Sequence, residues 1–252
     1  MTPVAEPHHT NAAAPQRGLR FVLTLLVSLV AAAGLAGFVS LGVWQVHRLG
    51  WKEDLIQRVD ARVHADPIPA PGPADWPSIS AEASEYTRVE LTGTFLNDEE
   101  VQIYVPSDLG PSYWVMTPLA RDDGTIVMVN RGMVPERLKA PATRQAPEGE
   151  VTVTGLLRMP EDKGWLFSRP NDPENQLWYR RDIASITATK GFDNAAPYFV
   201  DEERGTPEAW PRGGQTVIQF RNAHLQYALT WFALAALVLF AWGMFIRSEV
   251  RR

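Results

Sequence analysis

The sequence predicts an α+β membrane protein in which two transmembrane helices flank a mainly antiparallel β domain that is exported and carries one short helix. Residues 21–46 and 222–246 contain no Asp, Glu, Lys or Arg, and each run exceeds the roughly 20 apolar residues that a bilayer-crossing helix needs. Between them, short stretches rich in β-branched and aromatic residues alternate with Gly, Pro, Asn and Asp, the pattern of strands joined by turns. The chain has no cysteine, which removes disulfides, thiolate zinc sites, iron–sulfur clusters, covalently attached haem and cysteine nucleophiles together. Its net charge of −5 leaves no basic footprint for DNA or RNA.

Residues 1–18 are polar, Pro-containing and aperiodic, and are expected to form a disordered cytoplasmic tail. Residues 19–47 read as the first transmembrane helix. Their apolar stretch is far longer than the roughly 7–15 residues of a secretory h-region, so the helix is expected to be a retained anchor. Arg17 and Arg20 flank its start, and Arg247, Arg251 and Arg252 occupy the short tail 247–252 after the second helix. The positive-inside rule then places both termini in the cytoplasm and the central domain outside. Glu6 and the late first arginine disagree with an Arg-rich, acid-poor mitochondrial transit peptide. A bacterial inner membrane with a periplasmic central domain is the expectation.

Residues 48–65 keep Trp51, Leu55, Val59 and Val63 at a spacing of four, continuing the helix as an amphipathic extension. Prolines at 67, 69, 71, 73 and 77 end it and make 66–78 an extended linker. Residues 79–220 are the exported domain. Its strands are expected at YTRVELTGTFL, VQIYV, YWVMTPL, TIVMVNRG and EVTVTGLLR, forming a compact antiparallel sheet or small barrel. VNRGMVP reads as strand-ending turn chemistry at Asn130, Arg131 and Gly132, and ERLKAPATRQAPEGE as a polar loop. DIASITATKG fits a short helix capped by Asp182 and ended by Gly191, followed by a strand at PYFVDEE. Asp122-Asp123 and Asp201-Glu202-Glu203 read as solvated turns. Residues 221–246 form the second transmembrane helix; Ala33 with Gly37 in the first and the alanines of ALAALV in the second offer small residues for close approach of the two.

Between Arg48 and Arg221 the only histidine is His64, so imidazole-based triads and His zinc clusters are not available in the exported domain. The informative histidines are elsewhere. His224, Tyr227 and Trp231 share one face of the second helix, and Trp44, His47, Arg48 and Trp51 share one face at the end of the first. At about 1.5 Å per residue, His47 and His224 lie roughly 39 and 33 Å from the inner boundary, both near the outer interface. An aromatic belt explains the Trp and Tyr residues; His224 divides between interfacial hydrogen bonding and ligation. If a ligand is bound, imidazole, aromatic walls and the guanidinium groups of Arg48 and Arg221 suit haem iron, a porphyrin face and propionates. Arg48 and Arg221 equally suit headgroup anchoring.

The block LGVWQVHRLGWKEDLI, with Gly42, Trp44, Gln45, Arg48, Trp51 and Lys52, resembles a Gly-x-Trp-Gln-x-x-Arg-x-x-Trp-Lys signature. With YWVMTPL, VNRGMVP, VTVTGLLR, NDPENQLWYRRD and NAHLQYALTWF in order, the chain from about Leu41 to Ile246 resembles the surfeit locus protein 1 family. Met133 departs from the family pattern, standing where an aromatic residue is expected. The resemblance implies two transmembrane helices around an exported domain and a non-enzymatic assembly factor for haem-copper cytochrome c oxidase in the respiratory chain. It implies binding of haem a, with His224 as axial iron ligand; His47, in a position the motif leaves open, is the candidate second ligand. Tyr227, Trp231, Trp44, Gln45, Arg48 and Arg221 would then surround the haem. The implied partners are the lipid bilayer, the catalytic oxidase subunit as recipient, and haem a synthase as source. The rival expectation is a scaffold that grips an oxidase intermediate through its exported sheet and carries no haem. A haem-modifying enzyme would need more histidines facing the helices.

Overall fold

The computed structural model describes residues 14–108, 110–162, 164, 168–203, 209–216, 218 and 220–251. They form two compact units, residues 1–55 with 220–252 and residues 56–219. The expected tail lies outside the described residues as far as position 13; from Ala14 the backbone is helical.

Helix α1 spans Ala14–Val63, 50 residues without interruption, so the anchor and its amphipathic continuation are one element. It stops where Pro67 approaches, because the residue before a proline is disfavoured in helical backbone. Helix α4 spans His224–Val250. Both are long and apolar enough to cross a membrane.

The second unit is sheet-rich. Strands β1 (Ile68–Pro69), β2 (Arg88–Phe95), β3 (Val101–Ser107), β4 (Gly110–Ala120), β5 (Ile126–Pro135), β6 (Glu150–Arg158) and β7 (Ala195–Glu202) lie in the order β1-β2-β6-β7-β5-β4-β3. The sheet closes on itself where Thr94 and Phe95 of β2 pair with Ala120 and Leu119 of β4, the small barrel that the strand pattern allows. Most neighbours are antiparallel; β1 with β2 and β5 with β7 are parallel. The period of two divides β4, β5 and β7 between two cores. Val127, Val129, Tyr198 and Val200 join Val89, Leu91 and Phe95 in one. Met128 and Phe199, the residues between, join Met116, Ile103 and Trp178 in the other, beneath α3 (Ile183–Lys190). Helix α3 is capped as its sequence demands: Asp182 accepts from the Ser185 N–H, and Gly191 closes the helix at φ 72°.

The proline-rich segment is docked rather than free. Ala70 is buried and its N–H donates to the Glu90 carbonyl, while the Tyr198 hydroxyl donates to the Pro71 carbonyl at 2.7 Å. A short helix α2 (Ala81–Ser84), capped by Ser80, follows.

Two expectations change, and one loop gains a buried contact. VNRGMVP does not end its strand, since β5 continues to Pro135. Gly132 allows this: its φ of +117° turns the strand against the segment whose Arg212 pairs with Met133, and a side chain there would meet the Arg212 backbone. Gly132→Ala is therefore expected to destabilise the sheet unit by about 2–3 kcal/mol, combining a disfavoured φ with the clash, read as a lower denaturant midpoint at unchanged slope. The polar loop after β5 holds a buried ion pair, in which Arg144 grips both carboxylate oxygens of Glu100 at 2.6 and 3.0 Å.

Finally, Asp201 is not in a solvated turn. It is 5 % exposed and accepts from Asn130 Nδ2 (2.8 Å), Arg158 (2.9 Å) and Thr216 (2.8 Å), with Arg181 at 3.5 Å. Its strand position turns it inward, and two guanidinium groups meet it there. Arg158 also reaches Glu85, and Arg181 reaches Glu161. Burial pushes the Glu161 carboxyl up, but the hydrogen bonds and charge of Arg181 outweigh it and hold the group below its ordinary value.

Candidate functional site

The site lies wholly within the helical unit. Helices α1 and α4 run antiparallel, as their contacts show: Trp242 Nε1 donates to Ser28 Oγ at 3.1 Å, Trp231 stacks on Phe38 at 5.7 Å, Phe232 lies against Gly42, and Lys52 sits 4.9 Å over the Phe220 ring. Close approach occurs at Gly42, where an added Cβ would stand 2.6 Å from the Phe232 ring, and at Ala228 and Ala235, which are 2 % and 5 % exposed. Ala33 and Gly37, the pair suggested by sequence, are on exposed turns, and nothing lies within 4 Å of a Cβ built on Gly37. Their stripe is rotated away from the partner.

The decisive contact is polar. His224, the first residue of α4, places Nδ1 2.7 Å from Oε1 of Gln45, and Gln45 is only 8 % exposed. A carbonyl oxygen can only accept, so Nδ1 carries a proton, and in the neutral ring Nε2 presents its lone pair. Nε2 has no hydrogen-bond partner among the described residues, and the side chain is half-buried rather than sealed. An imidazole whose ring and tautomer are fixed through one nitrogen, with the other left open, is the arrangement in which histidine binds metals.

The remaining sequence candidates divide. Trp231 faces α1 but has one ring face taken by Phe38. Tyr227 and Trp44 are 53 % and 56 % exposed and do not enter the packed seam. Arg48 is exposed, its guanidinium 3.9 Å above the Trp51 ring, and Arg221 is exposed just before α4. Neither arginine forms an ion pair among the described residues. His47 is also exposed; two residues beyond Gln45, it lies about 200° around the helix axis, so the structure does not bring it to His224. Phe38, Gly42, Ala228 and Phe232, which set the helix spacing, were given no role by the sequence. The signal for them was the period of seam residues through Gln45, one helical step from the aromatic stripe.

A sequence model of the SURF1 family matches residues 32–236, a span that includes both Gln45 and His224. The chain belongs to the SURF1 family. It is 36 % identical over 231 residues to Surfeit locus protein 1 of Rattus norvegicus, covering 84 % of this chain and 72 % of that protein. The human Surfeit locus protein 1 is 34 % identical over 244 residues, covering 89 % and 76 %. A SURF1-like protein of Monosiga brevicollis is 35 % identical over 255 residues, covering 94 % and 92 %.

Proposed function

We propose that this SURF1-family member is an assembly factor for cytochrome c oxidase, without catalytic activity of its own, that holds haem a and passes it to the catalytic oxidase subunit. In this reading α1 and α4 cross a bacterial inner membrane, both termini are cytoplasmic and the sheet unit is periplasmic. The observation that carries it is the His224–Gln45 contact, which orients one imidazole nitrogen and leaves the other for iron. Haem, when bound, would supply an iron able to take an imidazole nitrogen and propionates able to pair with cations.

The residues present fit that cargo. Nε2 of His224 is the donor. Antiparallel helix geometry puts Trp44 and Arg48, about 100° and 60° from Gln45 around α1, on the same flank as Tyr227, about 60° from His224 around α4. The same geometry places Gly42 and Phe232 together on the opposite flank, where they touch. The exposure of Trp44 and Tyr227 is then what a planar ligand resting against the flank requires. Arg48, propped on Trp51, supplies a cation that no carboxylate pairs with among the described residues. A single protein ligand keeps ligation reversible, as delivery demands.

Purification from a host that makes haem a tests the reading. The wild-type chain is expected to carry haem with a Soret band, and His224→Ala to lose it. Undiminished haem in His224→Ala would return the protein to a scaffold acting through its sheet. Gln45→Leu keeps the donor nitrogen and removes its support, so haem affinity is expected to fall about 10–100-fold rather than vanish, measured by titration of the Soret band.

A further inference from the structure

The seam between α1 and α4 opens, toward the far end of the helices from His224, into a groove of about 560 Å³ that includes Leu26, Val30, Gly34, Ala241, Trp242 and Phe245. Its lining is apolar. One wall is pinned, because Trp242 donates to Ser28 at 3.1 Å, and Gly34 and Ala241 supply the width by having almost no side chain.

The groove is on the haem flank. Eighteen residues, five full turns at 3.6 residues per turn, separate Leu26 from Trp44, Val30 from Arg48, and Tyr227 from Phe245. The stripes that frame His224 on both helices are therefore the stripes that frame the groove. Its near rim, at Gly34 and Val238, is about 15 Å along the axes from Trp44 and Tyr227 at about 1.5 Å per residue. One flank thus offers a polar, cation-bearing head site and, farther along, an apolar slot of ligand size.

That is the outline of a tetrapyrrole with a long hydrocarbon tail. Resting on the reading of His224 above, we infer that the groove receives the farnesyl chain of haem a. The site selects farnesylated haems, haem a and haem o alike, over haem b, whose short vinyl group ends before the groove. The formyl group that separates haem a from haem o plays no part in this selection.

The test is a Soret titration of the full-length protein in nanodiscs with haem a, haem o and haem b. Haem a and haem o are expected to bind comparably and about tenfold more tightly than haem b, because the tail packs in a preformed slot in place of mobile acyl chains. Ala241→Leu, and independently Gly34→Leu, fill the groove and are expected to remove that preference while leaving haem b affinity unchanged. Retained haem b binding also certifies that each variant is folded. Equal affinities in the wild type, or a preference that survives both variants, would mean that the groove holds lipid acyl chains only and would overturn the inference with His224 ligation intact. Loss of all three haems in His224→Ala alone supports the underlying reading. Binding of none by the wild type overturns both.

Discussion

Asp201→Ala is expected to destabilise the sheet unit by about 3–5 kcal/mol, the range for breaking a buried ion pair by deleting one partner. Asp201 is the point at which β5, β6, β7 and the segment after β7 are joined, through Asn130, Arg158 and Thr216, with Arg181 alongside. The side chains of Arg158 and Arg181 are 15 % and 14 % exposed, so removal of the carboxylate leaves two guanidinium groups in a region too dry to solvate them. Glu85 and Glu161 still hold the outer edge of each, which sets the loss below that of two orphaned charges. Against a usual domain stability of 5–15 kcal/mol, the loss corresponds to a fall in Tm of about 10 °C. Thermal unfolding of the full chain followed by near-UV circular dichroism measures it. A shift of about 2 °C or less would mean that water enters and that the network is a surface feature. Asp201→Asn, which retains an acceptor oxygen for Asn130 and Thr216, is expected to fall between.

The difference between what the sequence disclosed and what it withheld follows the range of the interactions. Strands with a period of two, the proline stop after α1 and the Asp182 and Gly191 caps of α3 are local devices, complete within a few residues, and each is where its pattern puts it. The closure of the sheet between β2 and β4, the parallel β5–β7 pair and the burial of Asp201 depend on partners far away in the chain. Asp201 in particular sits in a run of three acids that by composition alone belongs to a surface turn. The helical site was half legible. His224 stood out because an imidazole is expensive at the edge of an apolar helix, yet its partner, Gln45, is 179 positions away. The seam is nevertheless defined by Gln45 and Gly42, and the aromatic stripe lies on the flank beside it.

On the proposed haem reading, Gly42→Leu is expected to lower haem content at least tenfold without altering the sheet unit. The Phe232 ring lies so close to Gly42 that even a Cβ would stand 2.6 Å from Cε1 and 2.8 Å from Cζ, well inside the ordinary carbon–carbon contact of about 3.5–4.0 Å. A methyl group can be met by tilting the ring, so Gly42→Ala should be mild. Leucine has no such relief and must drive the helices apart. Gln45 follows one turn later on the same seam, and its 2.7 Å contact with His224 ceases to be a hydrogen bond once the atoms part by about 1 Å. The imidazole then loses both orientation and tautomer, and haem content is expected to fall at least tenfold, while the thermal transition of the sheet unit stays within about 1 °C. The cause is steric, so Phe232→Ala in the same chain should restore most of the haem: the space removed at one helix is returned at the other. Gly42→Leu that keeps full haem would show that the helix spacing does not set the geometry of His224, and failure of Phe232→Ala to rescue would place the defect in α1 alone.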